Sequence, residues 1–171
     1  MKVLVVSDNH GDRDVLVDLI NTYEGKVDKF FHCGDSELEA TDSVWDTMLT
    51  VRGNCDYDPA YPDTRVTKVG SETILQVHGH LHDVKFTMNT LLYTAKEVGA
   101  NFAFFGHTHE LAVEYVDGIL FLNPGSIRLP RGQYASIKTY AIVETTPEEI
   151  DVTYYDPTHK PVGGLNFKFN R

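Results

Sequence analysis

Positive charge is scarce in this chain. Fifteen Lys and Arg stand against 25 Asp and Glu, for a formal net charge of −10 and a pI of about 5.1. A surface of that sign lacks the cations that neutralise phosphate backbones, so general binding to DNA, RNA or an anionic membrane is excluded. A small phosphorylated substrate held by metal ions is not. Long apolar runs are also missing, and none approaches the roughly 20 residues that span a bilayer. The opening MKVLVVSDNHG has neither the longer apolar region nor the small-residue cleavage site of a signal peptide. The cytoplasm is the expected setting. Cysteine is rare: Cys33 and Cys55 are the only two, so no disulfide framework is available and both thiols are expected to stay reduced.

What is present suits one folded domain. The 171 residues are 42 % hydrophobic and 23 % charged, enough for a core and too apolar for disorder. Lys2–Ser7 and Asp28–His32 are short β-branched or aromatic runs of the kind that form central strands, and Met48–Val51 is a third. Between the first two, Asp12–Glu24 carries Val15, Leu16, Leu19 and Ile20 at helical spacing, with Gly25 as a stop. Ser36–Asp46 is polar and weakly helical at best. Strand, motif, helix, strand, motif is the rhythm of a parallel α/β unit.

The second half is richer in strands. Thr64–Val69 and Thr73–Val77 flank a turn. Phe86–Val98 has helical spacing and ends at Gly99. Asn101–Phe105 is a buried strand. Ala112–Val116 and Ile119–Asn123 pair across Asp117-Gly118, a strong hairpin signal. Ala135–Glu144 and Glu149–Tyr155 complete the strands, and Asp156–Arg171 reads as irregular. No repeat or linker interrupts residues 1–171, so the expectation is one domain, a two-sheet sandwich with helices outside.

The chemistry lies just after the strands. Asp8 and His10, Asp35, Asn54, His78, and then His107 and His109 follow five strand ends in turn. Seven of the eight histidines fall in or near these blocks, and only His159 is remote. In an extended segment His107 and His109 would point to one side, with Thr108 turned away. Taken alone, Asp8 could cap the following helix, and Asp35 and Asn54 could be turn residues. Together they are seven nitrogen or oxygen ligands that fit two metal ions. Asp8, His10 and His109 can make one position. Asn54, His78 and His107 can make the other, with Asp35 bridging. Paired ions roughly 3.5–4 Å apart clamp the attacking and leaving oxygens of a displacement at phosphorus and acidify a bound water. Imidazole with carboxylate favours Mn, Fe, Ni, Co or Zn over Mg or Ca.

His32 lies on a strand and reads as an interior histidine. His80 and His82 share the turn with His78, and His80 has the better case for touching substrate. Arg128 and Arg131 could hold substrate oxygens, although surface charge is the plainer reading. Cys55 and Asp56 adjoin Asn54. With His80 they are the candidates for catalytic roles other than metal binding, and a small buried apolar role is equally open to Cys55.

The ordered blocks D-x-H, G-D, G-N-x-D, H-G-H and G-H-T-H resemble the calcineurin-like metallophosphoesterase superfamily. The short length, the GNCD variant and the stretch NPGSIRLPRG resemble its small YfcE/YsnB-type phosphodiesterases. The resemblance runs from Lys2 to about Tyr155. It implies a four-layer α-β-β-α sandwich, two mixed sheets flanked by helices. It implies hydrolysis of a small phosphoester by hydroxide formed on a pair of divalent transition-metal ions, typically manganese or nickel. It implies the ligand assignment given above. Many relatives carry His after the motif Asn, where it assists the leaving group; here that position is Cys55. Relatives with this fold also include a retromer subunit whose site is partly degraded, so a non-catalytic scaffold for protein–protein contacts is the alternative. A nuclease would need a basic face that this chain lacks. A homo-oligomer is compatible with all of these readings.

Overall fold

The computed structural model describes residues 1–171. In chain order the elements are β1 (Lys2–Val6), α1 (Arg13–Tyr23), β2 (Lys29–His32), β3 (Met48–Thr50), β4 (Thr64–Val69), β5 (Glu72–Val77), α2 (Asn89–Glu97), β6 (Phe102–Phe104), β7 (Ala112–Val116), β8 (Ile119–Asn123), β9 (Tyr140–Thr145), β10 (Glu149–Tyr155) and β11 (Pro161–Asn170). They form two mixed sheets. The first has the order β11-β10-β9-β1-β2-β3 and the second β4-β5-β6-β8-β7.

Alternation along the strands builds the layers. In β1, Val3 and Val5 face inward, against Phe31, Phe102, Phe104, Leu120 and Leu122. Leu4 and Val6 face outward, onto Leu16 and Leu19 of α1. The second sheet does the same: Leu75, Val77, Ala103 and Phe121 meet Leu91 and Ala95 of α2 on its outer face. Three apolar interfaces thus separate four layers, α-β-β-α. Leu16 and Leu19 are fully buried, and each contributes about 1.5–3 kcal/mol of burial. The side chain of Asp12, not that of Asp8, caps α1, accepting from the Val15 N–H at 3.3 Å.

Parallel pairing collects the motifs. β1, β2 and β3 run parallel, with Leu4 opposite Phe30 and Phe30 opposite Met48. β5, β6 and β8 also run parallel, with Gln76 opposite Phe104 and Phe104 opposite Leu122. The carboxyl ends of each set therefore open on one edge, where ligands gather in open α/β sheets. At the opposite edge Arg171 reaches from beyond β11 to Glu72 at the start of β5. Its guanidinium donates to both carboxylate oxygens, at 2.5 and 2.8 Å. This fork ties one sheet to the other far from the motifs.

Three boundaries differ from the sequence expectation. The tail is not irregular: Pro161–Asn170 is the edge strand of the first sheet, paired antiparallel with β10. Its Pro and its Gly163-Gly164 pair are tolerated because an edge strand need satisfy a neighbour on one side only. β9 begins at Tyr140 rather than Ala135; Gly132–Tyr134 forms a 3-10 turn, and Thr139 is held by donating to the Pro124 carbonyl at 2.7 Å. α2 is shorter than Phe86–Val98, because Asp83 is left-handed with φ 54° and Phe86 is 90 % exposed, outside the apolar face.

Candidate metal centre

The three loops after β1, β2 and β3 meet the two after β5 and β6. Backbone bonds hold them: Asp8 N–H donates to the Gly34 carbonyl at 3.1 Å and His10 N–H to the Asp35 carbonyl at 3.2 Å, while Gly106 N–H donates to the His78 carbonyl at 2.9 Å. Asp8, His10, Asp35, His107 and His109 all have positive φ, between 41° and 67°. Left-handed backbone in a residue with a Cβ is unfavourable, of order 1–3 kcal/mol each, and persists where the surroundings impose it. It also corrects the picture of an extended GHTH segment. β6 stops at Phe104, and the two imidazoles diverge to separate partners: His109 stands beside His10, with ring centroids 5.0 Å apart, and His107 beside His78 at 5.1 Å.

Two foci result. At the first, Nε2 of His10 and Nε2 of His109 lie 3.2 Å apart, and Asp8 Oδ1 is 3.2 Å from His109 Nε2. Each imidazole has its other nitrogen committed as a donor. His10 Nδ1 bonds Glu37 Oε1 at 2.6 Å, and His109 Nδ1 bonds the Leu129 carbonyl at 2.8 Å. Both Nε2 atoms therefore carry lone pairs in the neutral rings. Asp8 Oδ2 accepts from Ser7 Oγ, but the buried Oδ1 has no donor. At the second focus His78 Nδ1 donates to the Cys33 carbonyl at 2.7 Å. Its Nε2 then faces Asn54 Oδ1 at 3.1 Å and Asp35 Oδ2 at 3.3 Å. Acceptors facing acceptors is unfavourable unless a cation lies among them, so the residues fit divalent metal ions. Asp8, His10, Asp35 and His109 form a four-residue candidate site, their ligand atoms all within 4.8 Å of one another. Asp35 also faces His78, so it belongs to both foci.

The crowded acceptors draw positive charge, and without a metal ion a proton on His78 or His109 answers part of it. Burial opposes charge on His78, but Asp35, Asp8 and the Cys33 carbonyl outweigh it and raise its pKa. His109 is raised in the same way, burial being overcome by Asp8 and Leu129. Burial works against ionised Asp35 too, yet the bonds from His78 and Cys55 hold its pKa below the usual carboxylate range. His107 is pushed down to about 4, by burial first and then by the charges of His78 and Lys85.

The other candidates divide. Asp56 does not point at the foci. Both of its oxygens are occupied: Oδ2 accepts from the N–H groups of Asp35 and Gly53, each at 2.8 Å, and Oδ1 from Glu37 N–H at 2.8 Å and Ser36 Oγ at 3.0 Å. Its place is that of a brace between two ligand loops. Cys55 lies at the centre: its N–H donates to Asp35 Oδ1 at 2.7 Å, and its thiol is pushed up to about 11 by burial and by Asp35. His80 is half-buried beside His78 and His107, with centroids 5.4 and 6.1 Å away. His82 is buried. Arg128 donates to the His10 carbonyl at 3.0 Å, and the backbone N–H of Arg131 to the His109 carbonyl, also at 3.0 Å. His32 is an interior histidine, as its place on the strand indicated: Nε2 donates to Asn9 Oδ1 at 2.8 Å and Nδ1 accepts from Gly34 N–H.

Close approach requires glycine at several positions, Gly53 and Gly106 among them. A Cβ on Gly53 would overlap Asp35 Oδ1, and one on Gly106 would overlap Ser7 Oγ. Sequence reasoning missed Glu37, Ser7 and Ser126. Ser126 Oγ donates to the Asp8 carbonyl at 2.8 Å; its only signal was the NPGS stretch. A cleft of about 440 Å³, lined by Glu37, Leu38, Glu39, Cys55, Tyr57 and Asp58, opens beside the first focus. Two clefts of about 450 and 510 Å³ include none of the seven ligand candidates. No helix is long and apolar enough to cross a membrane.

The chain is similar to known proteins. The chain is 40 % identical over 165 residues to the probable metallophosphoesterase YsnB of Bacillus subtilis, covering 96 % of each. A crystal structure of a predicted phosphoesterase from Streptococcus pneumoniae superposes with a TM-score of 0.97 at 39 % identity, over 99 % of this chain and 97 % of the other. Wild-type Vps29 of Entamoeba histolytica, crystallised with zinc, shares the fold at a TM-score of 0.71 and 22 % identity, over 100 % and 98 % of the two chains. The family model for the calcineurin-like phosphoesterase superfamily domain matches residues 1–148. The chain belongs to the calcineurin-like metallophosphoesterase superfamily.

Proposed function

We propose that this chain is a dinuclear metal-dependent phosphodiesterase that hydrolyses a small phosphoester, with residues 1–171 acting as one cytoplasmic catalytic domain. The observation that carries this reading is the pair of lone-pair nitrogens of His10 and His109, 3.2 Å apart beside the donor-free Asp8 Oδ1. Asp8, His10 and His109 would hold one ion, Asn54, His78 and His107 the other, and Asp35 both. Manganese is the leading candidate, with Ni, Fe, Co and Zn admitted by the same ligands. When bound, such a pair supplies Lewis-acid polarisation of the phosphoryl oxygen and acidification of a coordinated water.

The chain's own residues do the rest. Glu37, Cys33 and Leu129 orient three imidazoles so that each Nε2 turns inward. Asp35 is kept ionised and fixed by the Cys55 N–H. His80, beside His78 and His107, would meet a substrate oxygen. The cleft by Cys55 and Tyr57 gives one arm of a diester somewhere to lie. Its carboxylates disfavour an anionic arm, in line with a small substrate rather than nucleic acid.

The test is hydrolysis by metal-reconstituted protein of a panel of phosphomonoesters, cyclic nucleotides and linear diesters, with a chelated control. Turnover of diesters that disappears on chelation supports the reading. Metal uptake with no turnover of any ester would hand the fold to the scaffold role.

A further inference from the structure

The four imidazoles of the centre are backed unequally. His78 and His109 lean on neutral carbonyls, of Cys33 and Leu129. His107 makes no hydrogen bond through its ring. His10 alone is backed by a carboxylate, Glu37 Oε1, at 2.6 Å. The Glu37 side chain is 44 % exposed, but the backbone that carries it is fixed. Glu37 is held left-handed, with φ 56°, and its N–H is pinned to Asp56 Oδ1 at 2.8 Å. The two foci differ in charge as well: the first has the carboxylate of Asp8 where the second has the neutral amide of Asn54.

We propose that Glu37 is the positioning residue of this centre, fixing His10 with Nε2 toward Asp8 and His109 and so making that position the tighter of the two and the first to fill. The proposal rests on the dinuclear reading above. A carboxylate behind an imidazole fixes its tautomer and increases the basicity of the nitrogen facing the metal, and losing such a partner typically costs about 10–100-fold in metal affinity. Glutamine at 37 keeps the shape and an acceptor oxygen but loses the charge. Alanine loses both.

Two measurements on the whole chain test it, neither of them turnover. The first is calorimetric titration of metal-free wild type, Glu37→Gln and Glu37→Ala with Mn²⁺. Wild type should take up two ions in unequal steps. Glu37→Gln should weaken the tighter step by about 10–100-fold and leave the other within about two-fold. The second is proton NMR of the Co²⁺-loaded protein, in which ligand imidazole N–H protons resonate far from the bulk. The His10 N–H, assigned by isotope labelling of histidine and its nuclear Overhauser contacts to Glu37, should exchange slowly in wild type, persist in Glu37→Gln and be lost to solvent exchange in Glu37→Ala. Two unequal steps in wild type that both variants leave unchanged would overturn the role of Glu37 and leave the dinuclear reading standing. Uptake of one ion or none by wild type would overturn the dinuclear reading, and this proposal with it.

Discussion

Asp56 Oδ2 accepts the backbone N–H of Asp35 at 2.8 Å, so two buried aspartates 21 residues apart share one junction and divide its work. Asp35 turns its carboxylate toward His78 and the candidate site of Asp8, His10 and His109. Asp56 turns its own toward the backbone that holds Asp35 there.

Replacing Asp35 should therefore cost more than replacing any ligand of a single focus. Asp35→Asn is expected to lower metal content at both positions and reduce the rate by more than the roughly 100-fold upper range for outer partners. Asp8→Asn and His78→Ala should each empty mainly one position. Metal stoichiometry and rate, measured on the same preparations, decide this; two ions retained in Asp35→Asn would remove the bridge.

Asp56→Ala should act on the fold before it acts on chemistry. It strips partners from three backbone N–H groups and a hydroxyl in a buried loop junction. Unpaired buried donors cost about 1–3 kcal/mol each, less what water recovers. A loss of about 3 kcal/mol or more in denaturant unfolding of the metal-free protein is expected. Unchanged stability with lost turnover would return Asp56 to a direct catalytic role.

His32 should make the protein sensitive to acid. Burial, only partly offset by Asp56 and Asp8, lowers its pKa from 6.5 to about 4. The neutral ring is also the one its partners require, since Gly34 N–H donates into Nδ1. Between these values the unfolded chain binds a proton that the folded chain refuses. The contribution is intact above about 6.5 and is lost as pH falls toward 4. Urea unfolding at several pH values should show this slope in wild type and a shallower one in His32→Gln. Parallel slopes would count against it.

Cys55 sets the expectation for leaving groups. Where relatives place an imidazole, this chain has a thiol, and cations bound beside it would favour thiolate. A general acid contributes about 10²–10⁴-fold in typical cases, and a group held as thiolate has no proton to give. Activated aryl diesters should be cleaved much faster than alkyl or nucleoside esters, with a steep dependence on leaving-group pKa. Cys55→His should flatten that dependence, and Cys55→Ala should leave it steep. A shallow dependence in wild type that steepens only in His80→Ala would assign the acid to His80.

The gathering of Asp8, His10, Asp35 and His109 was legible in sequence because each follows a strand-forming run, and parallel strands deliver their carboxyl ends to one edge. The layers were legible from alternation such as that of Val3 to Val6. Glu37 was not, since its part depends on a left-handed backbone and on a contact with His10, 27 residues away. The contacts of Asp56 were hidden for a related reason: a carboxylate next to a ligand in sequence can face either the site or the backbone, and both of its oxygens accept from the loops. The β11 edge strand was hidden by Pro161 and the glycine pair, which break a strand pattern without preventing one-sided pairing.

Finally, the fork between Arg171 and Glu72 gives the sandwich two differently fastened ends. That end is joined by the protein's own charges. At the other end every inferred ion would take ligands from both sheets: Asp8 and His10 with His109, and Asn54 with His78 and His107. Ions bound there would work as removable cross-links between sheets. Withdrawing them would leave that end to hydrogen bonds such as those of His78 to the Cys33 carbonyl and Ser126 to the Asp8 carbonyl, so it would loosen before the other end does. Amide exchange would then quicken first in the ligand loops, and Glu72 and its neighbours would be among the last to notice.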